Sequence, residues 1–192
     1  WINLVKGNDI TTVLHIFSLE VYKIPEEIFR EFKALKNLIV NGNHLQIIER
    51  STFQEAKLLE VLRLSNNELT ELNAYTFNMP SLKTLDLGRN RLERIATEAF
   101  AGLPVLERLY LSDNNLKSIT SDVFYTLPKL SFLSLENNQI SKLDDDLFHY
   151  NPMMKSLGLS NNTFTELKNE LFHYFENLTD LSVSSFNILI TF

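Results

Sequence analysis

Residues Leu106–Lys129 read LERLYLSDNNLKSITSDVFYTLPK and decide the fold of this chain. Leucines at positions 106, 109 and 111 are separated by polar or amphipathic residues, which predicts a short strand. Asn114 then turns the chain, and apolar residues at 116, 119, 124 and 127 point back to a core ahead of Pro128. The pattern recurs every 24 residues, with a single spacing of 23, in units that begin at Thr11, Leu35, Leu59, Leu82, Leu106, Leu130, Met154 and Leu178. A repeat of this length predicts a solenoid, because one unit is too short to bury its own apolar residues.

An asparagine recurs at one position of the unit. We call this set the asparagine ladder; it consists of Asn43, Asn67, Asn90, Asn114, Asn138 and Asn162. A chain that turns inward in every unit hides backbone N–H and C=O groups that need partners. A side-chain amide offers both a donor and an acceptor, so the ladder is expected to satisfy those groups unit by unit. These asparagines are therefore predicted to be structural.

A phenylalanine recurs in the outer part of each unit. This column predicts one continuous apolar stack and consists of Phe29, Phe53, Phe77, Phe100, Phe124, Phe148 and Phe172. Two units depart from the pattern. The unit at Leu59 is one residue short near Met79, which should tighten its outer segment. Asn151 replaces the outer leucine of the unit at Leu130, which predicts a local change of packing.

The pattern LxxLxLxxNxLxxLxxxxFxxLxx resembles the leucine-rich repeat family in its 24-residue extracellular form, as in Toll-like receptor ectodomains and insect secreted immune proteins. The resemblance implies an α/β-type leucine-rich repeat solenoid of about 7–8 repeats. Such a solenoid is a curved horseshoe with a parallel β-sheet on its concave side and an irregular convex side. We expect residues 1–192 to form a single domain, with a flank over 1–10, seven repeats over 11–177 and a partial last repeat over 178–192.

Strand residues between the leucines are expected to project from the concave face, because successive side chains of a strand point to opposite sides. Oppositely charged residues are neighbours there in three columns: Lys36, Glu60, Lys83 and Glu107 in one, Arg63 and Asp86 in another, Arg89 and Asp113 in a third. We expect these charges to pair across strands and to keep the face soluble.

Arginine and aromatic residues stand out among the remaining concave positions. Arg108 and Phe132 are neighbours in one column, and Tyr110 shares the strand of Arg108. Such residues are enriched at the energetic centres of protein interfaces. The predicted partner-binding patch consists of Arg63, Arg89, Arg108, Tyr110 and Phe132. A second group ranks lower because it lies at the amino-terminal end: His15, Phe17 and Ile39.

No motif in the sequence indicates catalysis or a cofactor. Cysteine is absent, five glycines leave little room for a phosphate-binding loop, and no nucleophile or paired-carboxylate motif occurs. His149 and His173 occupy one position of consecutive units, but two histidines fall short of the three or four ligands of a metal site. The net charge of −6 gives no basic footprint for nucleic acid, and no apolar run could span a membrane. The sequence predicts a non-enzyme without metal, cofactor, nucleic-acid partner or membrane insertion.

Two Asn-x-Ser/Thr motifs are candidate glycosylation sites, at Asn161 and Asn177. Asn177 is preferred because it is expected in an outer loop. The repeat type and these motifs favour an extracellular protein, secreted or a receptor ectodomain, whereas the absence of cysteine favours a cytoplasmic one. The chain does not begin with methionine and lacks cysteine-rich caps, so it is expected to be a piece of a longer protein. Its apolar end, Ile188 to Phe192, predicts self-association through an uncapped carboxyl-terminal end.

These features predict a non-enzymatic module that recognises a protein partner through its concave face or a flank. The resemblance implies a role in innate immunity or cell-surface recognition. One alternative is an intracellular leucine-rich repeat scaffold. Another is a sensor domain joined to a catalytic domain.

Overall fold

The computed structural model describes residues 10–184 and the backbone of residues 189–191. Its strands are β1 (Val13–His15), β2 (Asn37–Ile39), β3 (Val61–Arg63), β4 (Glu71–Leu72), β5 (Thr84–Asp86), β6 (Arg94–Ile95), β7 (Arg108–Tyr110), β8 (Phe132–Ser134), β9 (Ser156–Gly158), β10 (Glu166–Lys168), β11 (Asp180–Ser182) and β12 (Leu189–Thr191). Helical turns are limited, within the described residues, to a short α-helix, Ile28–Glu31, and a 3₁₀ helix, Asn169–Phe172.

Eight strands form one parallel sheet in the order β1-β2-β3-β5-β7-β8-β9-β11. Two small parallel pairs, β4 with β6 and β10 with β12, lie outside that sheet. Each strand of the large sheet pairs with the equivalent strand of the next unit, so that Leu85 is opposite Leu109 and Leu109 is opposite Leu133. These central leucines are fully buried, and the residues on either side of them project from the opposite, concave face. The predicted solenoid and its parallel concave sheet are confirmed.

The phenylalanine column forms a stack in the outer part of the core. Ring centroids from Phe53 to Phe77, Phe100, Phe124 and Phe148 are separated by 5.9–6.4 Å, and the rings are buried. The predicted last member is wrong, because Phe148 contacts Phe175 at 5.1 Å instead of Phe172. Phe172 ends the 3₁₀ helix, which gives this unit an outer segment unlike the others. Phe175 therefore continues the stack from the position that is an outer leucine in regular units.

The short unit at Leu59 is drawn tightly against the next one. A bridge joins Asn78 to Gly102, and the N–H of Met79 donates to the carbonyl of Gly102 at 3.0 Å. A Cβ atom at Gly102 would lie 2.2 Å from the carbonyl oxygen of Phe77. Only glycine permits this approach of two backbones.

Asn151, in place of an outer leucine, is fully buried. Its side-chain amide donates to the carbonyls of Phe124 at 3.0 Å and Leu127 at 2.9 Å. Its Oδ1 atom has no hydrogen-bond partner. The predicted local change of packing is thus a side-chain amide that forms hydrogen bonds to the preceding unit.

The carboxyl-terminal end of the large sheet leaves a core position uncovered. Leu181 occupies the central leucine position of β11 but is 40% exposed, because no further strand of the large sheet follows it among the described residues. Ile188 and Phe192 lie outside the described residues, and self-association through this end stays a prediction. No helix in the described part of the chain has the length and apolarity required to cross a membrane.

Candidate functional site

The asparagine ladder fixes the turns that follow the concave strands. Asn114 is representative: its Oδ1 accepts from the N–H of Leu92 at 2.9 Å, and its Nδ2 lies 3.1 Å from the carbonyls of Leu87 and Leu111. Leu87 and Leu92 belong to the preceding unit, so each side chain links two units. All six members are buried and make the same kinds of bond.

The residue before each ladder asparagine has a left-handed backbone. Glycine, asparagine and aspartate fill this position in most units: Gly42, Asn66, Asp113, Asn137 and Asn161. Arg89 occupies it with a φ of 51°, although arginine lacks the short side chain that eases this conformation. Backbone strain of this kind is concentrated at functional sites.

The arginine–aromatic patch, Arg108, Tyr110 and Phe132, lies near the middle of the concave sheet. Arg108 is directly opposite Phe132, and the rings of Tyr110 and Phe132 are 4.8 Å apart with an interplanar angle of 40°. Arg108 is exposed, whereas the two rings are half-buried because each covers part of the other. The sequence pattern places both rings on the exposed concave face. It does not predict that they pack against each other.

Small residues follow the patch toward the carboxyl-terminal end. Ser156 is opposite Phe132 on the next strand. Ser134 is opposite Tyr110, and Gly158 is opposite Ser134 one strand further on. The ring pair therefore stands at a step in the concave surface. Beyond the step, the side chain of Glu136 lies over Gly158, where an added Cβ would approach Cδ of Glu136 to 2.9 Å. Its carboxylate accepts from the hydroxyl of Ser182, two units away, at 3.2 Å.

The predicted charge pairing is closest among three members of one column, Lys36, Glu60 and Lys83. Glu60 accepts from Lys83 at 2.8 Å and also contacts Lys36 at 3.1 Å. The hydrogen bonds from Lys83 and then from Lys36 hold the pKa of Glu60 below its ordinary value, and the bond to Glu60 raises the pKa of Lys83. These lysines are thus compensated within the chain.

The two arginine columns behave differently. Arg89 is 3.9 Å from Asp113, a long contact for an exposed pair. Arg63 is opposite Asp86 in the sheet, but Asp86 accepts from the N–H of Gly88. Within residues 10–184, neither Arg63 nor Arg108 forms an ion pair. The expected pairing of Arg63 is therefore wrong, because a backbone N–H binds its intended partner.

One concavity of about 510 Å³ is lined by residues of both predicted groups, the partner-binding patch and the amino-terminal group. Phe17 lies at its amino-terminal rim, with its ring 5.4 Å from that of His15. Arg89 and Tyr110 line the other side. Arg108 and Phe132 stand next to it on the same face. Five consecutive units contribute to this concavity, so residue spacing within one unit does not reveal it.

The regular strand–turn units, their parallel sheet and the ladder match a family described as "Leucine rich repeat" over residues 80–140 and 133–189. The chain belongs to the leucine-rich repeat family. A second description, "Leucine Rich repeats (2 copies)", matches residues 57–101. No curated protein matches the chain significantly.

Solved structures with the same leucine-rich repeat fold include the TLR13 chain of a TLR13–ssRNA13 complex. It has a TM-score of 0.85 and 25% identity over 94% of this chain and 25% of its own length. A leucine-rich repeat protein of Leptospira interrogans has a TM-score of 0.81 and 31% identity over 93% of this chain and 44% of its own. The present chain therefore spans less than half of either protein. Leucine-rich repeat domains are generally protein-interaction modules rather than enzymes.

Asn177 and His149 lie in outer segments, whereas Asn161 follows β9 in the column of Arg89 and Asp113. Asn177 is exposed, with its Nδ2 atom 3.4 Å from the carbonyl of Pro152. Asn161 is also exposed, but its side-chain amide donates to Asn137 at 2.8 Å. His149 contacts the ring of Tyr174 edge-on at 4.9 Å. No group of three histidine, aspartate or glutamate side chains suited to a metal ion occurs in the part of the chain that is described.

Proposed function

We propose that this leucine-rich repeat domain is an extracellular recognition module that binds a protein partner through its concave face, in innate immunity or cell-surface recognition. The observation that carries the proposal is the uncompensated guanidinium of Arg108 beside the packed rings of Tyr110 and Phe132. An arginine with two aromatic rings is the composition of an interface hot spot. Ser156, a small residue opposite Phe132, leaves room for a partner side chain to reach that ring.

Arg89, which lines the concavity, and Arg63, at the end of the neighbouring strand β3, extend this binding surface. Arg63 has no ion pair within the described residues, and the side chain of Arg89 is 76% exposed. The proposed partner accordingly presents one or more carboxylates to the arginines and an apolar side chain to the ring pair.

Nucleic acid is a second candidate ligand, because the TLR13 chain is in complex with ssRNA. The charges of this concave face favour a protein instead. Lys36 and Lys83 are both paired with Glu60, and carboxylates at Asp86 and Glu136 project from the same surface. The face thus lacks the continuous row of free cations that a phosphate backbone requires.

A photo-crosslinking amino acid placed at Phe132 tests the proposal. The protein is incubated with extracellular fluid and with intact cells of its source, and adducts are identified by mass spectrometry. A protein adduct from position 132 is expected, and none from Leu58, which is 53% exposed away from the concave strands. The recovered partner should then bind Arg108→Ala, Tyr110→Ala and Phe132→Ala at least tenfold more weakly, while Lys36→Ala stays within twofold. An RNA adduct, or a partner contacted only from position 58, would refute the concave assignment.

Extracellular placement has its own test at Asn177. Full-length protein expressed in cells of its source should appear in the medium or at the surface with a glycan that Asn177→Gln removes. Asn161→Gln should leave the glycan unchanged, because the Asn161 amide is engaged by Asn137. Cytoplasmic retention of an unmodified chain would favour the scaffold alternative.

A further inference from the structure

Aromatic rings occupy the outer surface of the three units that begin at Leu106, Leu130 and Met154. We call this set the outer aromatic strip; it consists of Tyr125, His149, Tyr150 and Tyr174. The rings form a chain of contacts, with Tyr125 6.4 Å from Tyr150, Tyr150 4.7 Å from His149, and His149 4.9 Å from Tyr174. Tyr125 is 42% exposed and Tyr150 is 54% exposed.

The strip does not belong to the core. Phe124 and Phe148 already fill the outer part of these units and are fully buried beneath it. Four rings joined by three edge-on contacts form a preorganised surface, because each ring restricts the rotation of its neighbour. Stability of the solenoid gives no reason for four rings to be placed in water.

Carboxylates accompany the strip at a fixed distance in the sequence. Asp122, Asp146 and Glu170 each lie three residues before an aromatic residue, namely Tyr125, His149 and His173, and His173 is next to Tyr174 of the strip. All three are exposed, and none forms an ion pair within the described residues. Nearby, Lys168 forms its ion pair with Asp145 at 3.1 Å and interacts with Glu170 only at longer range.

One ring of the strip and two of these carboxylates line a concavity of about 430 Å³. Tyr174 lines it together with Asp144, Asp146 and Glu170, and Lys142 is the one lysine or arginine among its lining residues. Tyr174 is also the ring that contacts His149. The concavity is thus continuous with the strip, negatively charged, and bordered by aromatic surface.

A contact within the chain shows which group such a surface accepts. On the outer side of earlier units, the guanidinium of Arg50 lies 5.2 Å from the ring centroid of exposed Tyr75. The same guanidinium donates to the carbonyl of Ala74 at 3.1 Å. Arginine stacks on aromatic faces and binds carboxylates with two parallel hydrogen bonds.

We propose that the outer aromatic strip binds an arginine-bearing basic segment of another protein, with guanidinium groups stacked on the tyrosines and paired with Asp146 and Glu170. This surface is separate from the concave patch. The domain would then hold two partners at once, one on each side of the solenoid.

The test uses an acetylated tetra-arginine amide as probe, with isothermal titration calorimetry for affinity and ¹H–¹⁵N chemical-shift mapping for location. Shifts are expected at Tyr150, Tyr174 and their neighbours. Tyr150→Leu and Asp146→Asn should each weaken binding at least fivefold. Glu98→Gln is the matched control, since it removes a carboxylate from the same position of a unit that carries Ala101 in place of a ring; it should change affinity less than twofold.

Two further probes separate recognition from general charge attraction. A tetra-citrulline peptide of the same shape should not bind, and tetra-lysine should bind more weakly than tetra-arginine because an ammonium group does not stack. Arg108→Ala should bind the probe normally, so failure of this inference is distinguishable from failure of the concave proposal. Equal losses in Glu98→Gln and Asp146→Asn, or shifts away from the strip, would overturn the inference. So would a dimer of the chain that Tyr150→Leu dissociates, because the strip would then be occupied by a second copy.

Discussion

The asparagine ladder and the concave charge column Lys36–Glu60–Lys83 both run along the solenoid. They differ in burial and in the groups to which they are bonded. Ladder amides are buried and bonded to backbone groups that have no access to water. The charged groups of the column are exposed to solvent and bonded to one another. Losing a buried partner leaves a desolvated polar group unsatisfied, whereas losing an exposed partner returns the other group to water. Stability therefore depends on the ladder, and the concave column is free to vary with the partner.

Replacing a ladder residue tests the first half of this contrast and should give the largest effect. Asn114→Ala is expected to lower the free energy of unfolding by about 1–3 kcal/mol, because backbone groups of two units lose their partner. Chemical denaturation measures the change. Asn115→Ala is the control, since Asn115 is exposed next to it. Equal midpoints for the two variants would mean that the ladder does not hold the units together.

A buried asparagine outside the ladder sharpens the contrast. Asn151→Leu should change the free energy of unfolding by less than about 1 kcal/mol. The carbonyls of Phe124 and Leu127 keep the bonds they accept from the N–H groups of Leu127 and Leu130, and the unpartnered Oδ1 disappears. Chemical denaturation of Asn151→Leu and Asn114→Ala under the same conditions compares the two free energies of unfolding. If Asn151→Leu lowered the free energy of unfolding as much as Asn114→Ala, burial alone would make an amide essential, whatever its place in the repeat unit.

Arg89 lies between the two rows and should respond in the other direction. Arg89→Asn is expected to raise the free energy of unfolding by up to about 1 kcal/mol, because asparagine tolerates the left-handed backbone better. Arg89→Ala retains the backbone strain and should show no gain in thermal unfolding. A gain shared by both variants would attribute the effect to charge. If Arg89→Asn also binds the partner more weakly, then Arg89 lowers stability but contributes to recognition.

The concave column should give the smallest effect, and that effect should depend on pH. The folded-state pKa of Glu60 is lowered, chiefly by the hydrogen bond from Lys83. The carboxylate therefore stabilises the fold above its unfolded-state pKa, and this contribution is lost as the pH falls through the folded-state pKa. Glu60→Gln should unfold slightly earlier than wild type in urea at pH 7 and low salt, and the difference should vanish in acid. Glu55→Gln, which removes an exposed carboxylate with no ion pair in the described chain, should show no such difference. A Glu60→Gln deficit that persists at low pH would mean that the residue acts by packing.

The regular parts of the fold could be read from the sequence because each depends on residues within one unit or its neighbour. Central leucines such as Leu109 and ladder residues such as Asn114 have the same surroundings in every unit, so spacing suffices to place them. The stack failed at Phe172 because a 3₁₀ helix changes the outer segment there, and no residue pattern signalled it. Arg63 failed because a backbone N–H competes for Asp86.

The candidate binding surfaces were less predictable, since they depend on relations across several units. Phe17 and Tyr110 line one concavity to which five consecutive units contribute. The outer aromatic strip did leave a signal, in the repeated Phe-His-Tyr triplet preceded by acidic residues. Its meaning emerges only once Phe148 is seen to be buried while Tyr150 is exposed.

The sharing of each ladder amide between two units has a mechanical consequence. Under tension between the ends, a terminal unit would detach before an interior one, because an interior unit is tied on both sides and a terminal unit on one. Detachment of a unit breaks one amide rung and releases 24 residues, or roughly 80 Å of chain at the length of an extended polypeptide. The domain would lengthen in steps of that size from its ends inward, so that a partner held at the central patch would be released last.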